Sequence, residues 1–361
     1  MHALGRLPSG RNLPLLGLGT FQLKGEESRS AVEEAIKCGY RLIDSAQSYG
    51  NEDMVGLAIA NCIEQGVIES RDDVFITTKI HPKNNKSEDK CYGSLQASLA
   101  KLKLDYVDLV LLHWPGKSGI RPEDEKNKYA RRGAWKALIR AKKEGLVIDI
   151  GVSNFDVKHL EDPCFKAPST GQEDFCQLPA LDQCECHVAC QQFELREYCS
   201  NNGIVFQAYS SLCAGQGEVL DHPSFLQAVQ LSGMSAHQVL MAWALIEGNI
   251  GIIPKSASPK RMKENFDFVR DMLKVLHDTA RAHDKSTIFT SVGIDETPSA
   301  CSASSTSCEP RKETETLITE DEKESEQVNV RILPRECYVL FESLLESGRD
   351  VHLAWNPATV S

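Results

Sequence analysis

The chain has 361 residues, of which 41% are hydrophobic, and this length fits one large domain with a full apolar core. Its formal net charge of −11 argues against nucleic acid or an anionic membrane surface as a partner. Because no run is apolar and long enough to span a membrane and the first residues lack the core of a signal peptide, we expect a cytoplasmic protein with reduced cysteines.

Strand patterns alternate with helix patterns along most of the chain. The turn signal Pro8–Arg11 predicts a small hairpin that closes the bottom of a barrel. Predicted strands occupy 15–21, 41–45, 74–80, 106–114, 147–153, 180–186, 205–211 and 250–256. Predicted helices occupy 28–38, 51–65, 87–103, 129–144, 156–161, 191–202 and 235–248, and one more begins at 258. Eight strand–helix pairs predict an α/β fold, a (β/α)8 TIM barrel.

The first strand contains two glycines, Gly17 and Gly19. No third glycine follows at the place that a dinucleotide fingerprint requires. Crowding inside a barrel strand therefore explains them better than phosphate binding does.

Three consecutive predicted strands end on chemically active side chains. Asp44 ends the second strand, Lys79 the third and His113 the fourth, while Tyr49 lies in the loop after the first of these. Because the carboxyl ends of parallel strands meet at one mouth of a barrel, we expect the four side chains to converge.

Such a group suits the reduction of a carbonyl. The Lys79 ammonium should lower the pKa of the Tyr49 phenol, Asp44 should keep Lys79 charged, and a neutral His113 could bind the carbonyl oxygen. Tyr49 would then protonate the oxygen as negative charge develops on it. A cofactor must supply the hydride, since no side chain can.

Six ordered motifs give the chain a specific resemblance. They are Gly39–Ala46 with Tyr49, Asn51 and Glu52; Lys79; His113–Pro115; Gly151–Phe155; Ala208–Ser210; and Ile253–Ser256. In this order they resemble the aldo-keto reductases, close to glyoxal reductase and prostaglandin F synthase-like members. The resemblance covers residues 11–266 and resumes near 330.

The later strand ends supply groups for a nicotinamide cofactor. Ser153, Asn154 and Gln183 suit the carboxamide, which offers one acceptor and two donors, and Tyr209 could stack on the ring. The resemblance places Thr20 near the nicotinamide. It also assigns the 2′-phosphate of NADPH to Lys255, Ser256, Arg261 and Asn265, and turns Glu264 and Asn265 toward the adenine. An arginine suits a phosphate because its planar fork bonds two oxygens at once.

Loop position and resemblance together predict the substrate site. Its candidates are Phe21, Ser48, His81, Trp114 and Trp355. These groups predict a modest apolar pocket for small or medium carbonyl compounds.

Residues 286–328 depart from the family pattern. This stretch is rich in Ser, Thr and Glu and cannot bury enough apolar surface to order itself, which predicts a disordered insertion. We therefore expect the barrel to consist of residues 1–270 together with 330–361. In relatives the C-terminal segment folds over the substrate pocket.

A cysteine-rich stretch raises the possibility of a metal site. Cys176, Cys184, Cys186, His187 and Cys190 lack the paired short spacings of zinc ligands, so we expect buried thiols and no metal.

The sequence predicts an NADPH-dependent reductase of aldehydes or ketones that acts as a monomer. One alternative is a regulatory protein that binds the cofactor on the same barrel with little or no turnover. A metal-dependent hydrolase is disfavoured, because no cluster of His and carboxylate ligands lies at the strand ends.

Overall fold

The structure is a computed structural model that describes residues 3–165, 176–215, 217–248 and 250–282, together with Leu333 and Cys337. The predicted insertion 286–328, the substrate candidate Trp355 and nearly all of the segment 330–361 lie outside the described residues.

A hairpin covers the N-terminal ends of the barrel strands, as the turn signal predicts. Its strands are β1 (Ala3–Arg6) and β2 (Asn12–Pro14), which pair antiparallel. Arg11 Nε lies 2.8 Å from Asp108 Oδ1, and the Ser9 hydroxyl donates to the Asp149 carboxylate. Both carboxylates are fully buried, so these contacts fix the hairpin to the barrel.

The eight barrel strands follow in chain order. They are β3 (Leu18–Gly19), β4 (Leu42–Asp44), β5 (Phe75–Ile80), β6 (Val107–Leu112), β7 (Val147–Ser153), β8 (Leu181–Glu185), β9 (Val205–Tyr209) and β10 (Gly251–Ile252). Each pairs in parallel with the next. The Ile252 amide donates to Leu15 O over 2.9 Å, and the Gly17 amide donates to Ile252 O over 2.9 Å. These bonds close the sheet on itself, so the predicted (β/α)8 barrel is confirmed.

Helices surround the barrel. They are α1 (Gly25–Cys38), α2 (Glu52–Glu64), α3 (Glu88–Leu102), α4 (Lys126–Lys143), α5 (Val157–Leu160), α6 (Phe193–Asn201), α7 (Gly217–Leu220), α8 (Pro223–Ser232), α9 (Ala236–Gly248) and α10 (Pro259–Ala282). The sequence analysis did not predict α7 and α8. A helix start was nevertheless encoded there, because His222 caps α8 and Pro223 occupies its first turn. Within the described part of the chain, none of the helices is both long and apolar enough to cross a bilayer.

Gly19 is needed where the barrel closes. A Cβ atom built on Gly19 would lie 2.5 Å from Ile253 O, so any other residue would push β3 away from the β10 segment. Gly17 is crowded in the same way by the Leu42 side chain. The predicted crowding of these two glycines inside the barrel strand is confirmed.

Two described residues beyond α10 pack against the rest of the protein. Leu333 and Cys337 are both buried, and the Cys337 thiol donates to Ala228 O in α8 over 3.6 Å. The family-like sequence that resumes near 330 therefore packs against the barrel at these two positions.

Candidate active site

The strand ends bring Asp44, Tyr49, Lys79 and His113 together, as the sequence predicts. Lys79 Nζ forms an ion pair with Asp44 Oδ1 and lies 3.2 Å from Tyr49 Oη. It also donates to Ser45 O over 3.2 Å. The side chains of Lys79 and Asp44 are only 1% and 2% exposed, so the ion pair is shielded from solvent.

The ion pair keeps Lys79 charged. Burial alone would lower the pKa of Lys79, but the Asp44 carboxylate and the Tyr49 oxygen outweigh it and raise that pKa above its ordinary value. A full positive charge therefore remains beside the phenol oxygen at neutral pH.

Tyr49 keeps its proton at neutral pH. Burial raises the pKa of Tyr49, and the opposing influence of Lys79 is smaller, so the expected net lowering of this pKa is wrong in direction. The Tyr49 ring lies 5.2 Å from the Phe21 ring between centroids, and Lys79 Nζ lies 5.0 Å from the Tyr49 ring centroid. The phenol therefore carries its proton at neutral pH and lies beside a buried cation.

His113 is neutral and oriented. Burial, together with the charges of Lys79 and His81, lowers the pKa of His113 well below its ordinary range. Ser48 Oγ lies 3.4 Å from His113 Nδ1, and the Trp114 ring stacks on the imidazole at 6.3 Å. Because Nδ1 faces Ser48, the opposite nitrogen, Nε2, is left to bind a substrate oxygen.

Asn51 supports this arrangement in a way that the sequence analysis missed. It occupies the N-cap position of α2, but its side chain makes no capping hydrogen bond. Its amide nitrogen instead donates to Thr20 O over 2.9 Å, and its Oδ1 accepts from Ser45 Oγ over 2.8 Å. The Thr20 hydroxyl in turn donates to Asp44 O over 2.9 Å. Thr20, predicted to lie near the nicotinamide, therefore has its hydroxyl engaged with the backbone of Asp44.

The four residues predicted for the nicotinamide form one hydrogen-bonded group. Tyr209 Oη donates to Asn154 Oδ1 over 2.7 Å, and Ser153 Oγ donates to Gln183 O over 2.7 Å. Asn154 has a left-handed backbone, with φ of 62°, and its amide nitrogen donates to His113 O over 3.0 Å. Gln183 Nε2 donates to Asp44 Oδ2 over 2.8 Å. Gln183 therefore contacts the Asp44–Lys79 ion pair directly, which the sequence patterns did not predict.

A second glutamine lies beneath Gln183. Gln207, inside β9, is fully buried, and its Oε1 accepts from Gln183 Nε2 over 2.8 Å. The available signal was a polar residue at an inward-facing position of an otherwise apolar strand.

The residues predicted for the 2′-phosphate lie together around the start of α10. Ser256 Oγ accepts from the Ser258 amide over 3.1 Å, and Lys255 and Arg261 are exposed. Neither cation forms an ion pair with any described residue. Glu264 is exposed and lies 3.8 Å from Lys260, and Asn265 is half-buried one position further along the helix.

A cavity of about 1010 Å³ opens beside the barrel mouth. It extends from Trp114, Asn154 and Tyr209 to Gln192 and Phe193 at the start of α6. Charged side chains such as Lys117, Arg131 and Glu185 also line it, whereas Tyr49 and His113 are not among its described lining residues.

The predicted substrate residues take different places. Phe21 is 56% exposed and Ser48 is exposed at the mouth, whereas Trp114 lines the cavity. His81 is half-buried and uses its Nδ1 to accept from the Lys83 amide over 3.0 Å.

The cysteine-rich stretch is buried except at Cys176, which is half-buried. Burial raises the pKa of Cys186 to about 12 and that of Cys184 well above its ordinary value, so both thiols are protonated at neutral pH. Over the described ranges, no three His, Cys, Asp or Glu side chains converge as a metal site would require.

Comparisons with known proteins agree on one family. The model of the aldo/keto reductase family matches residues 15–276. An uncharacterized oxidoreductase, YtbE, from Bacillus subtilis is 41% identical over 74% of this chain and 89% of its own length. A glyoxal reductase from the same organism is 38% identical over 73% of this chain and 85% of its own length.

Solved structures are similar in the same way. An aldo/keto reductase from Brucella melitensis is 38% identical and has a TM-score of 0.61, over 73% of this chain and 92% of its own. The aldose reductase from Schistosoma japonicum is 30% identical and has a TM-score of 0.63, over 74% of this chain and 87% of its own.

Proposed function

Because this chain belongs to the aldo/keto reductase family, we propose that it is an NADPH-dependent reductase of aldehydes or ketones with Tyr49 as the general acid. The observation that carries the proposal is the buried contact of Lys79 with both Asp44 and Tyr49, beside a neutral His113. A carbonyl oxygen placed between Tyr49 Oη and His113 Nε2 receives one hydrogen bond from each. Both bonds strengthen as negative charge develops on the oxygen.

The residues present fit a nicotinamide cofactor. Gln183 Oε1 accepts no hydrogen bond from the described residues, although the amide nitrogen of the same side chain is fully used. An acceptor at that point suits the amino group of a carboxamide. Asn154 and Ser153 lie beside it, and Tyr209 offers a ring on which a nicotinamide could stack. When bound there, the cofactor supplies the hydride that no side chain can supply.

The start of α10 supports a preference for NADPH over NADH. Arg261 and Lys255 carry positive charge that no carboxylate neutralises among the described residues, and Ser256 lies between them in the chain. A 2′-phosphate carries up to two negative charges and three acceptor oxygens, which this set can bind.

In the proposed reaction the proton comes from Tyr49. It is transferred from Oη to the substrate oxygen as the carbonyl carbon is reduced. The phenolate left behind lies 3.2 Å from Lys79 Nζ, which stabilises it until a proton returns from solvent. Asp44 keeps Lys79 charged through this cycle, and His113 stays neutral and fixes the carbonyl.

Substrates of small or medium size fit the aromatic and small side chains at the mouth, Phe21, Ser48 and Trp114. A relative is named glyoxal reductase, so glyoxal belongs in the first substrate panel together with larger aromatic aldehydes and ketones.

The test compares Tyr49→Phe with Tyr106→Phe. The second change removes a hydroxyl that bonds to Asp72 at the opposite end of the barrel. We expect Tyr49→Phe to lower kcat for NADPH oxidation roughly 10²- to 10⁴-fold while the Kd of NADPH, from fluorescence quenching, changes little. Tyr106→Phe should leave both unchanged. NADPH binding by the wild-type protein without turnover of any carbonyl in the panel would instead support the regulatory alternative.

A further inference from the structure

Gln207 is a buried polar side chain for which the proposed reaction has no use. It lies inside β9, and its amide nitrogen makes no hydrogen bond with any residue that the structure describes. A buried donor without a partner destabilises the folded protein. Methionine would fill nearly the same volume without that cost, so the glutamine must contribute through its other atom, Oε1.

That oxygen controls the orientation of the amide of Gln183. The two N–H groups of Gln183 donate to Gln207 Oε1 and to Asp44 Oδ2, each over 2.8 Å. A half-turn of the Gln183 amide would place its oxygen against these two acceptors and would lose both bonds. Without Gln207 Oε1, the Gln183 amide would keep only its bond to Asp44 Oδ2 and could tilt away from its present orientation.

The locked amide leaves a single kind of group without a partner among the described residues. Both of its donors are used, so only Gln183 Oε1 remains, and it can only accept a hydrogen bond. The Ser153 hydroxyl and the backbone N–H of Asn154 both donate to the backbone oxygen of Gln183, over 2.7 and 3.0 Å. These two bonds fix the strand beneath the Gln183 side chain.

We propose that Gln207 is a positioning residue that locks the Gln183 amide as an acceptor for the N–H of the nicotinamide carboxamide. The proposal rests on the proposed use of a nicotinamide cofactor. It explains a cofactor specificity: the site binds a pyridine ring that carries an amide more tightly than one that carries a ketone at the same position. Because the same amide holds Asp44 Oδ2, cofactor recognition and the catalytic ion pair share one hydrogen-bonded chain.

The test measures discrimination between two cofactors rather than turnover. The acetylpyridine analogue of NADP⁺ replaces the carboxamide by an acetyl group and so has no N–H to donate. The Kd of each cofactor is measured by titration calorimetry for the wild type, Gln207→Met and Gln207→Leu. For the wild type we expect NADP⁺ to bind about fivefold more tightly than the analogue, the equivalent of one hydrogen bond.

Unlocking the amide should reduce this discrimination. In either Gln207 variant the Gln183 amide can rotate and donate to the acetyl oxygen, so the ratio of the two Kd values should fall to about twofold or less. Both variants remove the same acceptor, and either one that folds decides the question. The matched control is Thr77→Val, which removes a fully buried hydroxyl that makes no hydrogen bond with the described residues. Its ratio should equal that of the wild type.

The outcomes separate the two proposals. A wild-type protein that binds neither NADP⁺ nor its analogue would refute the proposed function itself. NADP⁺ binding with an unchanged ratio in the Gln207 variants would overturn only the role of Gln207. A purely structural role would lower stability and both affinities together and would leave the ratio unchanged.

Discussion

Asp44→Asn is the sharpest test of the buried ion pair. The asparagine has nearly the same shape, but its neutral side chain no longer compensates the charge of Lys79, which is 1% exposed. Removing one partner of a buried pair costs about 3–5 kcal/mol, a large part of the roughly 5–15 kcal/mol that stabilises a typical domain. We expect the free energy of unfolding to fall by that amount near neutral pH.

The pH dependence of this loss identifies its cause. In the wild-type protein the pKa of Lys79 is raised, so the folded and the unfolded chain both hold the proton below about pH 10. The stabilisation from Lys79 is therefore fully present there and is lost only as pH rises through the raised pKa. In Asp44→Asn, burial dominates and lowers the pKa of Lys79. The unfolded state then binds more protons, so stability should rise with pH by up to about 1.4 kcal/mol per unit.

Equilibrium unfolding in guanidinium at about pH 7 and about pH 9.5 measures this slope. The matched control is Asp149→Asn, which removes an equally buried carboxylate from its ion pair with Lys142. The Lys142 side chain is 26% exposed. Lys142 can turn into solvent, so the control should lose less stability and keep the pH slope of the wild type. The reasoning about Lys79 is refuted if Asp44→Asn loses no more stability than the control or has the same slope as the wild type.

Three further predictions concern the cofactor, the proton and the insertion. Arg261→Ala should weaken NADPH binding roughly 10- to 100-fold and leave NADH binding unchanged. Lys260→Ala, on the same helix, should affect neither affinity strongly. Equal losses of affinity for both cofactors would show that Arg261 does not contact the 2′-phosphate. The kcat/KM of carbonyl reduction should stay flat from about pH 6.5 to 9, because the pKa of Tyr49 is raised and that of His113 is lowered. It should fall at high pH as Tyr49 loses its proton. A decline centred near neutral pH would contradict the assignment of Tyr49 as the acid. Replacing 286–328 by a short Gly/Ser linker should keep kcat/KM within about tenfold, since long loops cost little closure entropy; a larger change would mean that the insertion acts on the site.

The barrel and the convergence of four side chains at its mouth could be predicted because both follow from local patterns. Alternating strands and helices determine a closed parallel sheet, and side chains at the ends of such strands must meet at one mouth. Asp44 ends β4, Lys79 is the penultimate residue of β5 and His113 directly follows β6, so their convergence needed no knowledge of loop conformation.

The remainder depended on contacts between positions far apart in the chain. The bond from Gln183 to Asp44 crosses the barrel and depends on which layer each side chain occupies, which strand boundaries alone do not give. The direction of the Tyr49 pKa depended on the balance between burial and one nearby charge, and residue types do not reveal that balance. Asn51 is a residue type that favours helix N-caps, but its side chain instead forms tertiary hydrogen bonds with Thr20 and Ser45.

The seam between β3 and β10 has a consequence for folding kinetics. Its hydrogen bonds join Leu15 and Gly17 to Ile252, so almost the entire barrel must be synthesised before the seam can form. Contacts of such high sequence separation slow folding, because the loop entropy is lost before the bonds are gained. Until synthesis reaches the last strand, the open sheet would have two unpaired edges, which can aggregate or bind chaperones. A ligand that contacted Thr20 on one side of the seam and Lys255 on the other would stabilise the closed barrel over the open sheet.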